Sequence, residues 1–508
     1  MQWEARPFLC RIGRTPAVAM HPHYRGAGDR VQQAKFIRSS TCKLMCSGRP
    51  FDFLKPYNTH TTAFSGTGTG FVIDAFPGDA TTVDVVTAYH VVRYATKIMV
   101  EFYGVDAGPL PGTLRSYDTA LDVALLTVEM PAAQRSRVTL LQTGNSDDAL
   151  PNDAVLVVGH ALGHDYQMTT GSISGRTCTP ERLQCDAAVN PGNSGGPLLD
   201  ADHAVIGVVV SGYDDAQNVN FVAPIVETLT SLRHLQSQGG EAPRAMPCRS
   251  LNATVVPSFE AMRAATGCPH GAYVAQVHPR SSLAAAGVER GDTICSIAGY
   301  DVTLRGKIHC AWWQVDALLI ETLLTRQLEG DTLPIAFWSS REGAMRHEHI
   351  AVQRELARYR DVDPMATPPP YSCAGGIVVQ ALTRNHGEIT QRYRHIMAQP
   401  QVRERSLMVV TAIRPESPLT TMNTVRVGHI VTYVNDTVVT TLEEYVDAWR
   451  VWEASDAPFV ALTFYNGTIA AAERGDVVKA DAVMLGETGM SDVHADGASS
   501  ATANSNAA

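Results

Sequence analysis

The segment Asn190-Pro191-Gly192-Asn193-Ser194-Gly195-Gly196-Pro197-Leu198 places a serine between glycines, just before the apolar run Val205 to Val210. A strand-fed loop of this kind can present a nucleophile beside its own backbone N–H groups. The glycines admit the dihedrals of a tight turn and let a substrate carbonyl come close to bare backbone. Upstream stand Thr87-Ala88-Tyr89-His90 and Asp122-Val123-Ala124-Leu125-Leu126. His, Asp, Ser is one of the chain orders that build a hydrolytic triad. A serine hydroxyl is a poor nucleophile near neutral pH and needs a base within hydrogen-bond reach. His90 suits that role and can then protonate a leaving amine. Asp122 would hold the second imidazole nitrogen, fixing the tautomer and stabilising the imidazolium. The N–H groups of Gly192 and Ser194 would form the oxyanion hole for a tetrahedral intermediate. Each reading has a plainer rival: a tight turn for the serine loop, a structural role for His90, a turn cap for Asp122. Asp118 competes for the acid role; Asp122 is preferred because it directly precedes the apolar run Val123 to Leu126.

The surrounding pattern predicts what positions these residues. From about 60 to 232, short apolar runs alternate with Gly, Asn and Asp. Phe71-Val72-Ile73, Val83 to Val86, Lys97 to Phe102, Val123 to Val128, Val155 to Val158 and Val205 to Val210 read as strands. Regularly spaced short strands imply barrels or sandwiches. A helical stretch from Ile225 to Leu235 closes this region, and Gln236-Ser237-Gln238-Gly239-Gly240 reads as a linker.

Two further segments follow. In the first, Gly271 to Val277 reads as a strand. Pro279-Arg280-Ser281-Ser282-Leu283 starts a short helix, and Arg290-Gly291-Asp292-Thr293-Ile294 turns into a second strand. Leu407 to Ile413, Pro415-Glu416-Ser417-Pro418-Leu419 and Val427-Gly428-His429-Ile430-Val431 repeat that pattern in diverged form, with Gly428-His429 where the first copy has Gly291-Asp292. The opening strand of the diverged copy, Gly375 to Val379, is cut off from the rest by an insertion at about 383–406. That insertion puts ligand binding by this copy in doubt. The tail from about 478 is rich in Ala, Ser, Asp and Asn, and disorder is expected there.

The chain resembles HtrA/Deg-type serine proteases. The resemblance rests on Gly66-Thr67-Gly68-Thr69-Gly70-Phe71-Val72-Ile73, Thr87 to Val92, Leu121 to Leu126, Gly144-Asn145-Ser146-Asp147-Asp148 and Gln184 to Leu199, all in the family order. It implies a mainly β chain: a chymotrypsin-like double β-barrel protease domain followed by two PDZ-like α+β domains. The expected bounds are an N-terminal arm at 1–50, the protease at 51–235, PDZ-like domains at 241–356 and 370–475, and a disordered tail at 478–508. The activity implied is ATP-independent serine endopeptidase cleavage of unfolded or exposed polypeptides, through His90, Asp122 and Ser194. The alternatives are a PDZ-bearing chaperone or adaptor with a dormant protease domain, and a dedicated maturation protease.

By the same resemblance, Ala188, Val189, Val210 and Phe221 would line the substrate pocket. They are small or apolar, so small to medium aliphatic P1 residues are expected rather than Lys or Arg. Asp186 belongs to the active-site motif and not to the pocket base. His160 and His164 fall in a loop that orders the active site, a reading favoured over a metal pair. Arg249 to Ala253 is the candidate loop for capturing a peptide C-terminus at the first PDZ-like domain, whose groove helix is expected within Trp312 to Gln327. The resemblance further implies a homotrimer, or a multiple of one. Phe51, Phe53, Tyr57 and Phe64 are available to build it.

Composition sets outer limits. Length 508 suggests about three domains, and 45% hydrophobic with 18% charged residues is globular. A net charge of −10 without a basic block argues against nucleic acid as a partner. No apolar run approaches the ~18 residues of a membrane helix. No nucleotide-binding loop and no Cys-x-x-Cys pair is present, so no cofactor or metal is expected. No secretory signal is evident, which favours an intracellular protein with reduced thiols. Seven Lys/Arg against two acids in residues 1–38 leave an organelle-targeting leader open.

Overall fold

The computed structural model describes residues 27–495, except 59–60, 106–107, 162–165, 179–180, 213–218, 239–242, 248, 267–269, 311–316, 357–369, 384, 388–390, 392–405, 421–423 and 489. The chain divides into two compact units: Met1–Gly48 with Ser65–Leu356, and Arg49–Phe64 with Ala357–Ala508.

The first unit opens with a helix, Ala27–Ser39, and then builds two closed barrels. Strands β1 (Thr41–Gly48), β2 (Phe64–Phe71), β3 (Thr82–Ala88), β4 (Ala95–Phe102), β5 (Leu110–Asp118) and β6 (Val123–Glu129) run in the order β5-β4-β1-β2-β3-β6. Pairing of β5 with β6 closes the ring. Val83, Val85, Val86, Val123, Leu125, Leu126 and Val128 are all buried. Such near-continuous burial arises because one face of β6 fills the barrel while the helix Ile225–Ser237 packs on β5, β6 and the second barrel. Each such side chain contributes about 1.5–3 kcal/mol on full burial.

Strand β1 falls within the stretch expected to be an N-terminal arm. It pairs with β4 from Cys42↔Phe102 to Gly48↔Ala95 and buries Cys42, Leu44 and Cys46. The sequence Thr-Cys-Lys-Leu-Met-Cys-Ser-Gly has no Val, Ile or aromatic residue, so its alternation is quiet and composition does not reveal it.

The second barrel uses β7 (Ala154–Gly159), β8 (Gln167–Cys178), β9 (Glu181–Cys185), β10 (Pro197–Leu199), β11 (Val205–Gly212) and β12 (Asn220–Pro224), closed in the order β10-β11-β12-β9-β8-β7. Its core includes Val155, Val157, Ile173, Leu183, Leu198, Val209 and Val222. Of the runs expected in the two barrels, all lie in strands except that β2 ends at Phe71, with Ile73 in an isolated bridge to Leu141.

Residues 253–351 add an antiparallel sheet with Ala253–Val256 at its edge, then Ala272–Val277, Thr293–Ile297, Thr332–Ser339 and Ala344–Ala351. The Ser281 hydroxyl caps the helix Ser282–Ala285 by accepting from the Ala284 N–H at 3.0 Å. Asp292 is a turn brace: its carboxylate accepts from the Glu289 N–H and from the N–H and hydroxyl of Ser340. The helix expected within Trp312 to Gln327 is the short Ile320–Thr325.

Just past that helix, Arg326 enters an acidic pocket of the second barrel. Its guanidinium donates to Asp147 at 2.9 and 3.0 Å and to Glu181 at 2.8 and 3.1 Å, and it pairs with Glu227 on the helix Ile225–Ser237. Arg176 reaches Glu181 from the other side at 3.3 Å. The Glu181 and Glu227 side chains are fully buried. Burial, and then repulsion from Glu181, push the Glu227 carboxyl up to about 8 against the pull of Arg326.

The second unit is built around an eight-stranded sheet and the helix Leu442–Glu453, whose start carries a reciprocal Thr441/Glu444 capping box. Tyr445, Trp449 and Trp452 on that helix anchor the core. Two expected boundaries change here. The stretch Arg49–Phe64, expected to end the N-terminal arm at 50 and open the protease at 51, belongs to this unit: the Phe53 carbonyl accepts from Gln380 at 2.8 Å, and Tyr57 packs with Tyr371, Cys373 and Met484. Phe53 and Tyr57 therefore serve this core. The tail expected to be disordered begins with a helix, Arg474–Thr488, and a strand, His494–Ala495. Val477 and Met484 pin that helix; two anchors in an Ala- and Asp-rich stretch give no readable periodicity. Its Asp481 accepts the Gly375 N–H at 2.7 Å, and Tyr371–Ser372 pairs along Ile377–Ala381. Cys42, Cys46, Cys185, Cys310 and Cys373 are free, whereas Cys295 is disulfide-bonded, so the expectation of reduced thiols does not hold at that position.

Candidate active site

Strand register creates the first pair. β3 and β6 run antiparallel in continuous register from Thr82↔Glu129 to Ala88↔Val123. His90 lies two residues past Ala88 and Asp122 one before Val123, so the end of the ladder brings them together. Asp122 has φ 54, a left-handed conformation that Asp tolerates better than most residues. Its backbone carbonyl accepts the Tyr89 N–H at 3.0 Å. One carboxylate oxygen accepts the His90 backbone N–H at 2.8 Å, and the other meets His90 Nδ1 at 2.7 Å. Asp122 thus supplies, from across the sheet, the capping acceptors that the short helix Tyr89–Val92 lacks at Ala88. It also fixes the proton on Nδ1 and leaves Nε2 as the basic nitrogen.

Asp118, the rival acid, is 1% exposed and fully engaged elsewhere. It accepts the N–H groups of Ala120 and Leu121 and the Ser231 hydroxyl, which ties β5 to the helix Ile225–Ser237.

The serine loop is held by backbone bonds. Asn193 N–H donates to Asn190, Gly196 N–H to Asn193, and Gly195 N–H to Val209 of β11. Gly192 and Gly195 have φ 102 and 83. At Gly195 a Cβ would collide with the Thr69 carbonyl and the Thr87 hydroxyl, so glycine is needed both for the turn and for this approach to β2 and β3. Among the described residues, the N–H groups of Gly192 and Ser194 donate to nothing, although Gly192 is buried. Unpaired buried N–H groups are rare. Two in one loop, one of them on the serine itself, form a ready donor site for an oxyanion. The Ser194 hydroxyl is partly exposed, and among the described residues no hydrogen bond joins it to His90.

Sequence reasoning passed over one residue at the centre of this assembly. Thr69 on β2 is fully buried. Its N–H donates to the Ser194 carbonyl at 2.9 Å, and its hydroxyl to the Gly192 carbonyl at 2.7 Å. His160, from the loop after β7, returns its backbone N–H to the Thr69 hydroxyl at 3.0 Å. His160 is therefore part of the scaffold of the serine loop; His164 lies outside the described residues.

Of the expected pocket residues, Val210 is buried at an irregularity in β11, between Val209 and Ser211. Phe221 on β12 lies opposite Ser211 and Gln184. Val189 packs against the barrel core, and the exposed Ala188 accepts the Thr169 hydroxyl through its carbonyl. Asn220 bonds the Ala187 carbonyl at 2.7 Å, which locks β12 to the segment before the serine loop. Asp186 turns to Ser172, accepting its N–H and hydroxyl, and these bonds hold its carboxyl below the usual range.

Residues 68–208 match the trypsin-like peptidase domain family. The putative serine protease HhoB of Synechocystis is 32% identical over 254 residues, 47% of this chain and 58% of that protein. HhoA of the same organism is 30% identical, covering 50% of this chain and 65% of its own length. A probable periplasmic serine endoprotease, DegP-like, of Hahella chejuensis is 29% identical, covering 59% and 63%. The chain thus spans less than two thirds of the length of each of these relatives. A solved HtrA-type protease, AlgW with decapeptide, aligns over 64% of this chain and 98% of its own, at 20% identity and a TM-score of 0.47. Residues 68–208 thus match a trypsin-like peptidase domain, and the chain is similar to serine proteases of the HtrA/DegP type.

Proposed function

We propose that the chain is a serine endopeptidase that cleaves unfolded or exposed polypeptides without ATP, in the manner of a protein-quality-control protease. The observation that carries the proposal is the Asp122–His90 pair at 2.7 Å set beside a serine loop with two unengaged N–H groups. In this reading His90 Nε2 takes the Ser194 proton as the hydroxyl attacks the scissile carbonyl. The N–H groups of Gly192 and Ser194 receive the oxyanion. The imidazolium, steadied by Asp122, then gives its proton to the leaving amine. Water repeats the cycle on the acyl-enzyme.

Ala188, Val189, Val210 and Phe221 support a preference for small and medium aliphatic P1 side chains, since Asp186 is engaged by Ser172. The edge strand Ala253–Val256 supports docking of an extended peptide or a peptide C-terminus on a first PDZ-like domain. In the second copy the equivalent strand, Ile377–Ala381, is already paired by Tyr371–Ser372. A homotrimeric assembly remains part of the proposal, resting on resemblance alone.

The test is incubation of the purified protein and its Ser194→Ala variant with casein, with cleavage sites mapped by mass spectrometry. Serine-dependent cuts after Val, Ala, Ile or Leu are expected. Equal cutting by both forms would refute the nucleophile assignment. A second reading, a resting protease that needs a partner before it cuts, is favoured by the Ser194 hydroxyl not being joined to His90. It predicts silence on casein, with covalent labelling of Ser194 appearing only when the partner is added.

A further inference from the structure

We infer that Thr69 is a positioning residue for the oxyanion loop, an inference that rests on the endopeptidase reading above. Thr69 comes from the first barrel, 123 residues before Gly192 in the chain. It grips the loop of the second barrel at two carbonyls, Gly192 through its hydroxyl at 2.7 Å and Ser194 through its N–H at 2.9 Å. Each of these carbonyls belongs to a residue that carries a proposed oxyanion donor, so the two bonds hold both donor residues in place. The hydroxyl has one proton, which goes to Gly192, and its lone pairs receive the His160 N–H at 3.0 Å. Thr69 is itself anchored: its carbonyl accepts the Thr87 hydroxyl at 2.8 Å, on the strand that leads into the helix of His90. One residue therefore ties the oxyanion loop to the base.

Gly192 sits at φ 102, where a glycine moves freely among several conformations. Nothing in its own side chain holds it there. Removing the Thr69 hydroxyl would leave the Gly192 carbonyl and the His160 N–H buried without this partner. The Gly192 carbonyl could find relief by rotation of the 192–193 peptide, which would pull the Asn193 N–H off the Asn190 carbonyl and loosen the loop that carries both donors. A loss of alignment costs less than outright loss of an oxyanion donor, which is worth about 100–1,000-fold in kcat. Substrate-binding walls do not involve Thr69, so the effect falls on kcat.

The test compares Thr69→Val, which keeps shape and removes the hydroxyl, with Thr69→Ser, which keeps the hydroxyl. Full-length proteins are assayed on a peptide substrate taken from a mapped casein cut, and by hydrogen-exchange mass spectrometry of the segment 190–199. For Thr69→Val we expect kcat to fall about 10–100-fold with KM within about 3-fold, and exchange in 190–199 to rise about 10-fold with other barrel segments unchanged. Thr69→Ser should stay within about 3-fold of wild type in kcat. Wild-type exchange in 190–199 for Thr69→Val would overturn the inference. So would equal impairment of both variants, or a uniform rise in exchange across both barrels. If the wild type cuts nothing yet Thr69→Val still loosens 190–199 selectively, the clamp stands and the endopeptidase reading falls.

Discussion

Asp122→Asn tests the mechanism at its most constrained point. The two oxygens of Asp122 face two donors of His90, the backbone N–H at 2.8 Å and Nδ1 at 2.7 Å. An asparagine has one oxygen and one NH2 group to offer. The backbone N–H can only donate, so the amide oxygen must turn to it, and the NH2 group must then face Nδ1. An NH2 group donates, so Nδ1 becomes the acceptor and the imidazole proton moves to Nε2. That is the nitrogen that has to accept the Ser194 proton. The variant would thus keep the fold and the hydrogen-bond count while holding the base in the wrong tautomer. In trypsin-like triads this reversal lowers kcat by ~10,000-fold, or about 5 kcal/mol of transition-state stabilisation. The assay is kcat and KM on a peptide from a mapped cleavage site, beside thermal unfolding. We expect an unchanged Tm and a KM within about 3-fold. A kcat within about 10-fold of wild type would refute the tautomer argument, and with it the assignment of Asp122 as the orienting acid.

Two further predictions concern the buried charges around Arg326. Arg326→Met keeps the apolar stem but strips the cation from Asp147, Glu181 and Glu227, two of which have fully buried side chains; chemical unfolding should show a loss of about 3–5 kcal/mol. A loss below about 1 kcal/mol would mean that Asp147 and Glu181 do not depend on the Arg326 charge in the folded protein. The second is a pH dependence. Glu227 has a folded pKa raised from 4.5 to about 8, so its contribution is fully present below the unfolded value and is lost as pH rises through the folded one. Melting scans from about pH 5 to about pH 9 should show Tm falling across that window, and Glu227→Gln should flatten the slope. A slope unchanged in Glu227→Gln would assign it to another group.

The sequence made the chemistry legible because a nucleophile, a base and an acid must each be a particular residue type. Ser194, His90 and Asp122 therefore stand out, and the glycines around Ser194 stand out because no other residue fits. The structure adds why Asp122 and not Asp118 meets His90: Asp118 is spent on capping Ala120 and Leu121 and on Ser231. The strong Val- and Leu-rich strands were equally readable, since both faces are buried. β1 was not, because Cys, Lys, Met and Ser alternate without a marked preference for strand. Nor was the helix Arg474–Thr488, whose hold on the second unit depends on Val477, Met484 and one Asp481 bond. The reassignment of Arg49–Phe64 was out of reach for a different reason: its partners, Gln380, Tyr371 and Met484, lie hundreds of residues away.

Thr69 marks the limit of that legibility most clearly. Its partners are the carbonyls of Gly192 and Ser194, which every residue has, and the N–H of His160, which every residue type but proline has, so no residue pattern at 192, 194 or 160 can announce the contact. The same holds for the ladder that pairs His90 with Asp122. What matters there is that β3 and β6 stay in register from Thr82↔Glu129 to Ala88↔Val123. A slip of one residue would turn every side chain of β3 to the other face and carry His90 away from Asp122. Val83 pairs with Val128, Val85 with Leu126 and Val86 with Leu125, all buried, so a slip would break every one of these fitted contacts on both faces. The apolar residues of these strands thus do more than stabilise a barrel. By fixing the register, they set the distance between a base and its orienting acid, and Thr69 and Thr87 carry that alignment on to the serine loop.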